Sequence, residues 1–258
     1  MSAELLTHEV RQRRVGTVVF GLTLGAFAFF GLAVSGSLGA ALDDMTKSFP
    51  EGLTAFLGAK VPGGYVVGEI FTLIAPIALV AFAVLAGASA VAGEEEAGTM
   101  SILSAQPVTR GRVLTAKASG LAVSLMGIGL LFWAGMTLAS VLFDSQITAG
   151  PLAAGTVHLV FLAMAFAAIA LAVGAATGRP ELASGTAGGI AVVAYLTNAM
   201  LPLAGLDRWA ELSPWYYALG SDPLRNGIDL AHLGALTGLG AIALAIAAVT
   251  FGRRDLKG

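Results

Sequence analysis

Six long, almost uncharged runs dominate this chain, each long enough to cross a lipid bilayer as a helix. They fall at about 16–38, 66–92, 114–143, 152–177, 183–203 and 230–251. A hydrocarbon core of about 30 Å needs about 20 residues at 1.5 Å rise each. Of the 258 residues 57% are hydrophobic and only 12% charged, against about 25% charged in soluble domains. Backbone groups in lipid must be satisfied internally, which restricts spanning segments to helices and closed barrels. The runs show no two-residue alternation, so helices are the predicted form. The sequence thus predicts an all-α membrane protein with six transmembrane helices in a single domain over 1–258. The third run exceeds a perpendicular crossing and should tilt. There is no cysteine, which excludes disulfides and thiolate metal sites.

Basic residues orient the spans. Arg11, Arg13, Arg14, Arg110, Arg112, Lys117, Arg179, Arg253, Arg254 and Lys257 fall on one side, and Lys47, Lys60, Arg208 and Arg225 on the other. Positive charge near span ends marks the cytoplasmic face. Both termini and the loops at 93–113 and 178–182 are therefore expected in the cytoplasm of a multi-pass cell-membrane protein. Trp209, Trp215, Tyr216 and Tyr217 supply aromatic residues for the outer interface. The first run is longer than the 7–15 residues of a signal peptide core and should be retained. Ahead of it, Leu5, Leu6, Glu9 and Val10 with Arg11, Arg13 and Arg14 predict an amphipathic elbow helix lying along lipid phosphates.

Charge concentrates between the second and third runs, in the stretch from Gly93 to Arg110. Glu94, Glu95 and Glu96 end one helix and precede the next, where a positive dipole end would stabilise them. Gly98 permits a sharp turn and Thr99 is a good helix cap. Met100, Leu103 and Ile102 give a short helix an apolar edge, and Pro107 ends it by restricting Gln106. Arg110, Arg112 and Lys117 are expected to anchor the third span at the phosphate layer. Such a helix fits a groove on a soluble partner. It equally fits a capped interfacial hairpin.

The string Gly93-Glu94-Glu95-Glu96-Ala97-Gly98-Thr99-Met100, then Leu103-Ser104 and Pro107-Val108-Thr109-Arg110, resembles the signature of type-2 ABC transporter permeases. In that family the stretch forms the cytoplasmic coupling helix that docks on the ATP-binding subunit. The resemblance implies that Glu94 and Glu96 stand for the acidic pair and that Gly98, Thr99 and Leu103 form the docking turn. Glu95 and Met100 lie within the same coupling element, and Pro107 and Arg110 form its exit. Ser104 stands where a second leucine is common. The six spans and the elbow agree with the family over the whole chain. A second resemblance lies at Leu212-Ser213-Pro214-Trp215-Tyr216 and Asp222-Pro223-Leu224, where the family has short broken helices re-entering the outer leaflet. Pro214 and Pro223 would interrupt any helix there.

Polar residues inside spans are few. Glu69 and His158 lie near outer ends, and His158 lacks a second histidine at metal-ligand spacing, so no metal site is expected. Pro76 should kink the second span. Tyr195, Thr197 and Asn198 either line a substrate pathway or bond between helices. Pairs of glycines four apart (Gly21 and Gly25, Gly185 and Gly189, Gly234 and Gly238) would allow close helix contact.

Three classes of function compete. A membrane enzyme needs a nucleophile with a base, or clustered ligands, and the chain offers neither; no catalytic residue is expected. An ion-coupled carrier or channel would place paired carboxylates near midplane, whereas the acids here gather at span ends. The resemblance implies instead an exporter subunit working as a dimer with itself or a related permease in membrane lipid. ATP and Mg would reside on a cytoplasmic ABC ATPase partner, since the chain has no G-x-x-x-x-G-K-[ST] loop. No nucleic-acid partner and no cofactor on this chain are expected. Spans rich in Ala, Gly, Leu and Phe suit a hydrophobic or amphipathic cargo such as a drug, an antibiotic or a lipid.

Overall fold

A computed structural model describes the backbone of residues 2–47, 64–98, 109–143, 145 and 147–254, with side chains other than those of 2–3 and 36–47. The described elements are helical. They run α1 (Ser2–Lys47), α2 (Gly64–Glu69), a π-turn (Ile70–Ile74), α3 (Ala75–Glu96), α4 (Arg110–Leu142), α5 (Ala149–Thr177) and α6 (Pro180–Met200). A 3-10 turn (Pro202–Ala204) and the short helices α7 (Asp207–Ala210), α8 (Pro214–Leu219) and α9 (Pro223–Asn226) lead to α10 (Leu230–Arg253). Six stretches are long and apolar enough to cross a membrane: Glu4–Ser35, Gly64–Glu96, Arg110–Leu142, Ala149–Thr177, Pro180–Ala204 and Leu230–Arg253.

The central mast is α5. It carries no Asp, Glu, Lys or Arg along its length, and a helix that is apolar all round is one that other elements surround. Its most apolar window is 72% buried, against 22% for α6 and α10. α3, α4, α6, α8, α9 and α10 all pack on it. Its alanines Ala163, Ala167 and Ala170 are buried.

α1 stands outside this group and packs on α4. Their backbones nearly touch where Gly25 meets Gly135. A Cβ on Gly135 would sit 2.6 Å from the Gly25 carbonyl oxygen, and one on Gly25 2.7 Å from that of Leu131. Lipid tails are as apolar as leucine, so close van der Waals contact of this kind holds membrane helices together. Gly21 lies against Leu131 as well. The other two glycine pairs do not serve contacts within the subunit: Gly185, Gly189, Gly234 and Gly238 have nothing within 4 Å of a built Cβ.

Two expectations change. The elbow is not a separate surface helix, because α1 is unbroken from Ser2 to Lys47 and its first turns pack inward. Glu9 is 5% exposed, and a Cβ on Gly120 of α4 would lie 2.8 Å from the Glu9 Cβ. The disturbance from Pro76 takes the form of the π-turn just before it, where the Ala75 N–H reaches back to the Ile70 carbonyl. Proline has no N–H and crowds the preceding turn, and a wider turn relieves that crowding.

Candidate functional site

The three acids close α3. The dipole at that end is negative, so carboxylates there are favoured by nearby cations. Successive helical residues point about 100° apart, and the three side chains take different directions. Glu94 turns toward α4 and α1, and its Oε1 lies 2.7 Å from Lys117 Nζ. Glu95 turns toward the end of α10 and pairs with Arg254. Glu96 is exposed.

Lys117 points into the bundle instead of outward to lipid. It is fully buried, with Nζ donating to Glu9 Oε1 at 3.0 Å as well as facing Glu94. Glu9 Oε2 also accepts from Arg13 Nη2 at 3.4 Å, and Arg13 Nη1 reaches the Ala86 carbonyl of α3 at 3.4 Å. A buried charge is tolerated only when paired, and two carboxylates with two cations supply that pairing across α1, α3 and α4.

On the other side, Arg110 satisfies the end of α10. Its Nη1 donates to the carbonyls of Phe251 at 3.0 Å and Arg254 at 2.6 Å, with the guanidinium 5.9 Å from the Phe251 ring centroid. The last carbonyls of a helix have no partner within it, and a cation there is favourable. Gly178 completes the corner. It caps α5 in the left-handed region at φ 67°, and its missing Cβ leaves room for the Arg254–Glu95 pair.

The predicted turn is present. Gly98 has φ 71°, and its N–H bonds the Glu95 carbonyl at 3.2 Å. Thr99, Met100, Leu103 and Pro107, with the remainder of 99–108, lie outside the described residues. The chain re-enters at Thr109, extended, and α4 starts at Arg110. Arg11, Arg14, Arg112, Arg179 and Arg253 are exposed. The network brings 9–13, 86–98, 110–117, 178 and 251–254 together at one end of the bundle.

At the opposite end the short helices fold back on the bundle. Ser213 caps α8, accepting from the Trp215 N–H at 3.2 Å and donating to the Ala194 carbonyl at 2.7 Å. Pro214, at the first position of α8, needs no N–H partner. Trp215 is buried, its Nε1 3.2 Å from the Ala191 carbonyl, while Tyr216 is half-buried and stacks near His232. Between α3, α6 and Trp215 lies a cavity of about 360 Å³, lined by residues that include Ile77, Val84, Ser184, Ala191 and Tyr195. Tyr195 meets Trp215 with ring centroids 5.0 Å apart. Thr197 is elsewhere, bonding the Val193 carbonyl of its own helix at 2.8 Å, and Asn198 is outside the cavity lining. His158 is buried and structural. One neutral tautomer donates from Nδ1 to Ala154 at 3.0 Å and accepts at Nε2 from the Asp229 N–H at 3.4 Å. Asp229 in turn caps α10, accepting from the N–H groups of Ala231 and His232. The His232 N–H bond holds its carboxyl below the usual aspartate range, with the smaller Ala231 bond adding to it.

A family model described as ABC-2 family transporter protein matches residues 3–256. The chain belongs to that family. No curated protein matches it.

As an ABC-2 member the chain is the membrane subunit of a transporter and is not itself catalytic; the family implies an ABC ATPase partner in general terms. Within this ABC-2 subunit, the sequence pattern does not reveal Glu9, Arg13 and Gly178 as members of the buried charge network. A glutamate flanked by arginines in an amphipathic stretch reads as a solvated face, and only packing against Gly120 reveals otherwise. Arg254 marks topology alone until its partner is seen. One signal is present in the sequence: α3 ends in three acids with no cation in its last turn, which demands cations from elsewhere in the chain.

Proposed function

We propose that the chain is the transmembrane subunit of an ATP-driven exporter that works as a dimer. In this reading the segment from Glu94 to Arg110 docks on a cytoplasmic ATPase, which holds ATP and Mg. Both termini lie in the cytoplasm. The observation that carries the proposal is the bracing of this segment. Glu94, Glu95 and Arg110 turn inward onto Lys117 of α4 and the end of α10, while Glu96 and the Gly98 turn face outward. A hinge anchored at both ends passes a push from outside into the bundle instead of absorbing it. Glu96, Gly98, Thr99, Met100 and Leu103 make the contact; Glu94, Glu95, Pro107 and Arg110 transmit it. ATP closure then draws two such segments together and switches access between faces.

The cargo is proposed to be hydrophobic or amphipathic. The cavity between α3 and α6 is apolar apart from Ser184, Tyr195 and Trp215, and its rim residues Ile77, Leu85 and Val192 are exposed, a face for a second permease to cover. Tyr195 is the pathway residue supported by geometry, with Thr197 and Asn198 above it on the same helix. Ser213, Pro214, Trp215 and Tyr216 form the outer re-entrant element. The test is purification of the tagged subunit in mild detergent. An ABC ATPase should copurify, and its turnover in lipid nanodiscs should rise with apolar candidate cargoes. A subunit that purifies intact and moves cargo without an ATPase overturns the proposal.

A further inference from the structure

We infer that Lys117 is a positioning residue that ties the N-terminal helix to the turn at 93–98, so that α1, the end of α3 and the start of α4 move as one body. The inference rests on the coupling reading above and adds α1 to the moving parts.

Lys117 Nζ sits between carboxylates from two elements, 3.0 Å from Glu9 and 2.7 Å from Glu94. Its side chain is 1% exposed. Withdrawing either acid would leave the buried cluster with more positive than negative charge, which is destabilising. Arg13 makes a second tie one turn along α1, binding Glu9 and the Ala86 carbonyl of α3. The four groups, two acids and two cations, sum to zero, so the cluster stays buried only while complete. Phe20 of α1 stacks on Phe82 of α3 at 4.7 Å between centroids, continuing the same seam. Nothing in this arrangement is needed to place α1 against α4, which the Gly25–Gly135 crossing already does. What the cluster adds is a rigid link from α1 to the residues just before the Gly98 turn. A displacement of that turn by an ATPase is therefore carried into α1.

The chain has no cysteine, so two introduced cysteines report without background. A subunit with Gln12→Cys and Ala97→Cys, both at exposed positions, is nitroxide-labelled before assembly and diluted with unlabelled subunit in the full complex with its ATPase in nanodiscs. The distance distribution is recorded without nucleotide and with vanadate-trapped Mg-ATP. With Lys117 present, one narrow distance is expected in both states. Lys117→Met should broaden it without nucleotide and make it differ between the states, and Lys117→Arg should restore the single distance. A merely structural lysine would lower thermal stability without making the distance depend on nucleotide. If Lys117→Met does not fold, Glu9→Gln replaces it with the same expectations. A narrow, nucleotide-independent distance in the Lys117→Met or Glu9→Gln protein overturns the inference. If the ATPase fails to bind the unsubstituted subunit, the coupling reading falls by itself. The nucleotide-free comparison of Lys117 with its variants still judges the link.

Discussion

Two glycines with nearly the same backbone isolate the energetic worth of the Glu95–Arg254 corner. Gly178 has φ 67° and ψ 19°, and Gly205 has φ 72° and ψ 20°. Alanine at either position incurs the left-handed penalty of about 1–2 kcal/mol. The surroundings differ. A Cβ at Gly205 meets nothing within 4 Å, whereas one at Gly178 would lie 2.6 Å from Arg254 Nη1 and 2.9 Å from Glu95 Oε2. The guanidinium can swing aside, so the steric clash itself is cheap; the cost is the separated pair. Glu95 is 5% and Arg254 20% exposed at the side chain. This lies between a surface pair, worth about 0–1 kcal/mol, and a broken buried one at about 3–5 kcal/mol. An intermediate cost of about 1–3 kcal/mol follows. Gly178→Ala should therefore lose about 2–5 kcal/mol in total and Gly205→Ala only about 1–2 kcal/mol. Reversible unfolding in mixed detergent micelles measures both. On a Glu95→Gln background the excess at Gly178 should shrink, as coupled neighbours require. Equal losses for the two alanines would refute the reasoning.

Two further outcomes follow from the opposite end. Ser213→Ala removes both the α8 cap and the bond to the Ala194 carbonyl, and should destabilise by about 1–2 kcal/mol; the same unfolding titration reads it. Asp229 has its carboxyl pKa depressed in the fold, so its contribution is complete above the unfolded aspartate pKa and is lost as pH falls through the lower folded value. The Asp229→Asn protein, which keeps a capping side chain, should show a flatter acid limb in melting temperature against pH than the parent.

The spans are legible in the sequence because bilayer thickness imposes a length, and a long uncharged run is otherwise rare in proteins. The central place of α5 is not legible, because the runs at 16–38, 183–203 and 230–251 are equally free of Asp, Glu, Lys and Arg. The proline in the second span reads as a distortion, though not as the π-turn at Ile70–Ile74, since backbone widening leaves no mark in composition. The Gly98 turn is legible from glycine alone. The destinations of the charges are not. Lys117 reads as an interfacial anchor until the inward packing of α1 supplies Glu9, and that packing depends on Gly120 far along the chain. The acids at 94–96 read as the end of one helix and the approach to the next, and the structure shows the first of these. A pattern of charges fixes which end of the bundle they occupy, but helix phase decides which partner each one meets.

Docking through the segment after the Gly98 turn is measured most directly by crosslinking. The cysteine-free chain allows single cysteines at Met100 and Leu103, with controls at the lipid-exposed positions Leu130 and Ile242. Each is given a short photoactivatable label in native membranes. The coupling reading predicts an adduct of subunit plus one ATPase from Met100 or Leu103, strengthened by ATP and absent from both controls. Adducts of equal yield from the controls, or none from either loop position while the ATPase is bound, would contradict it.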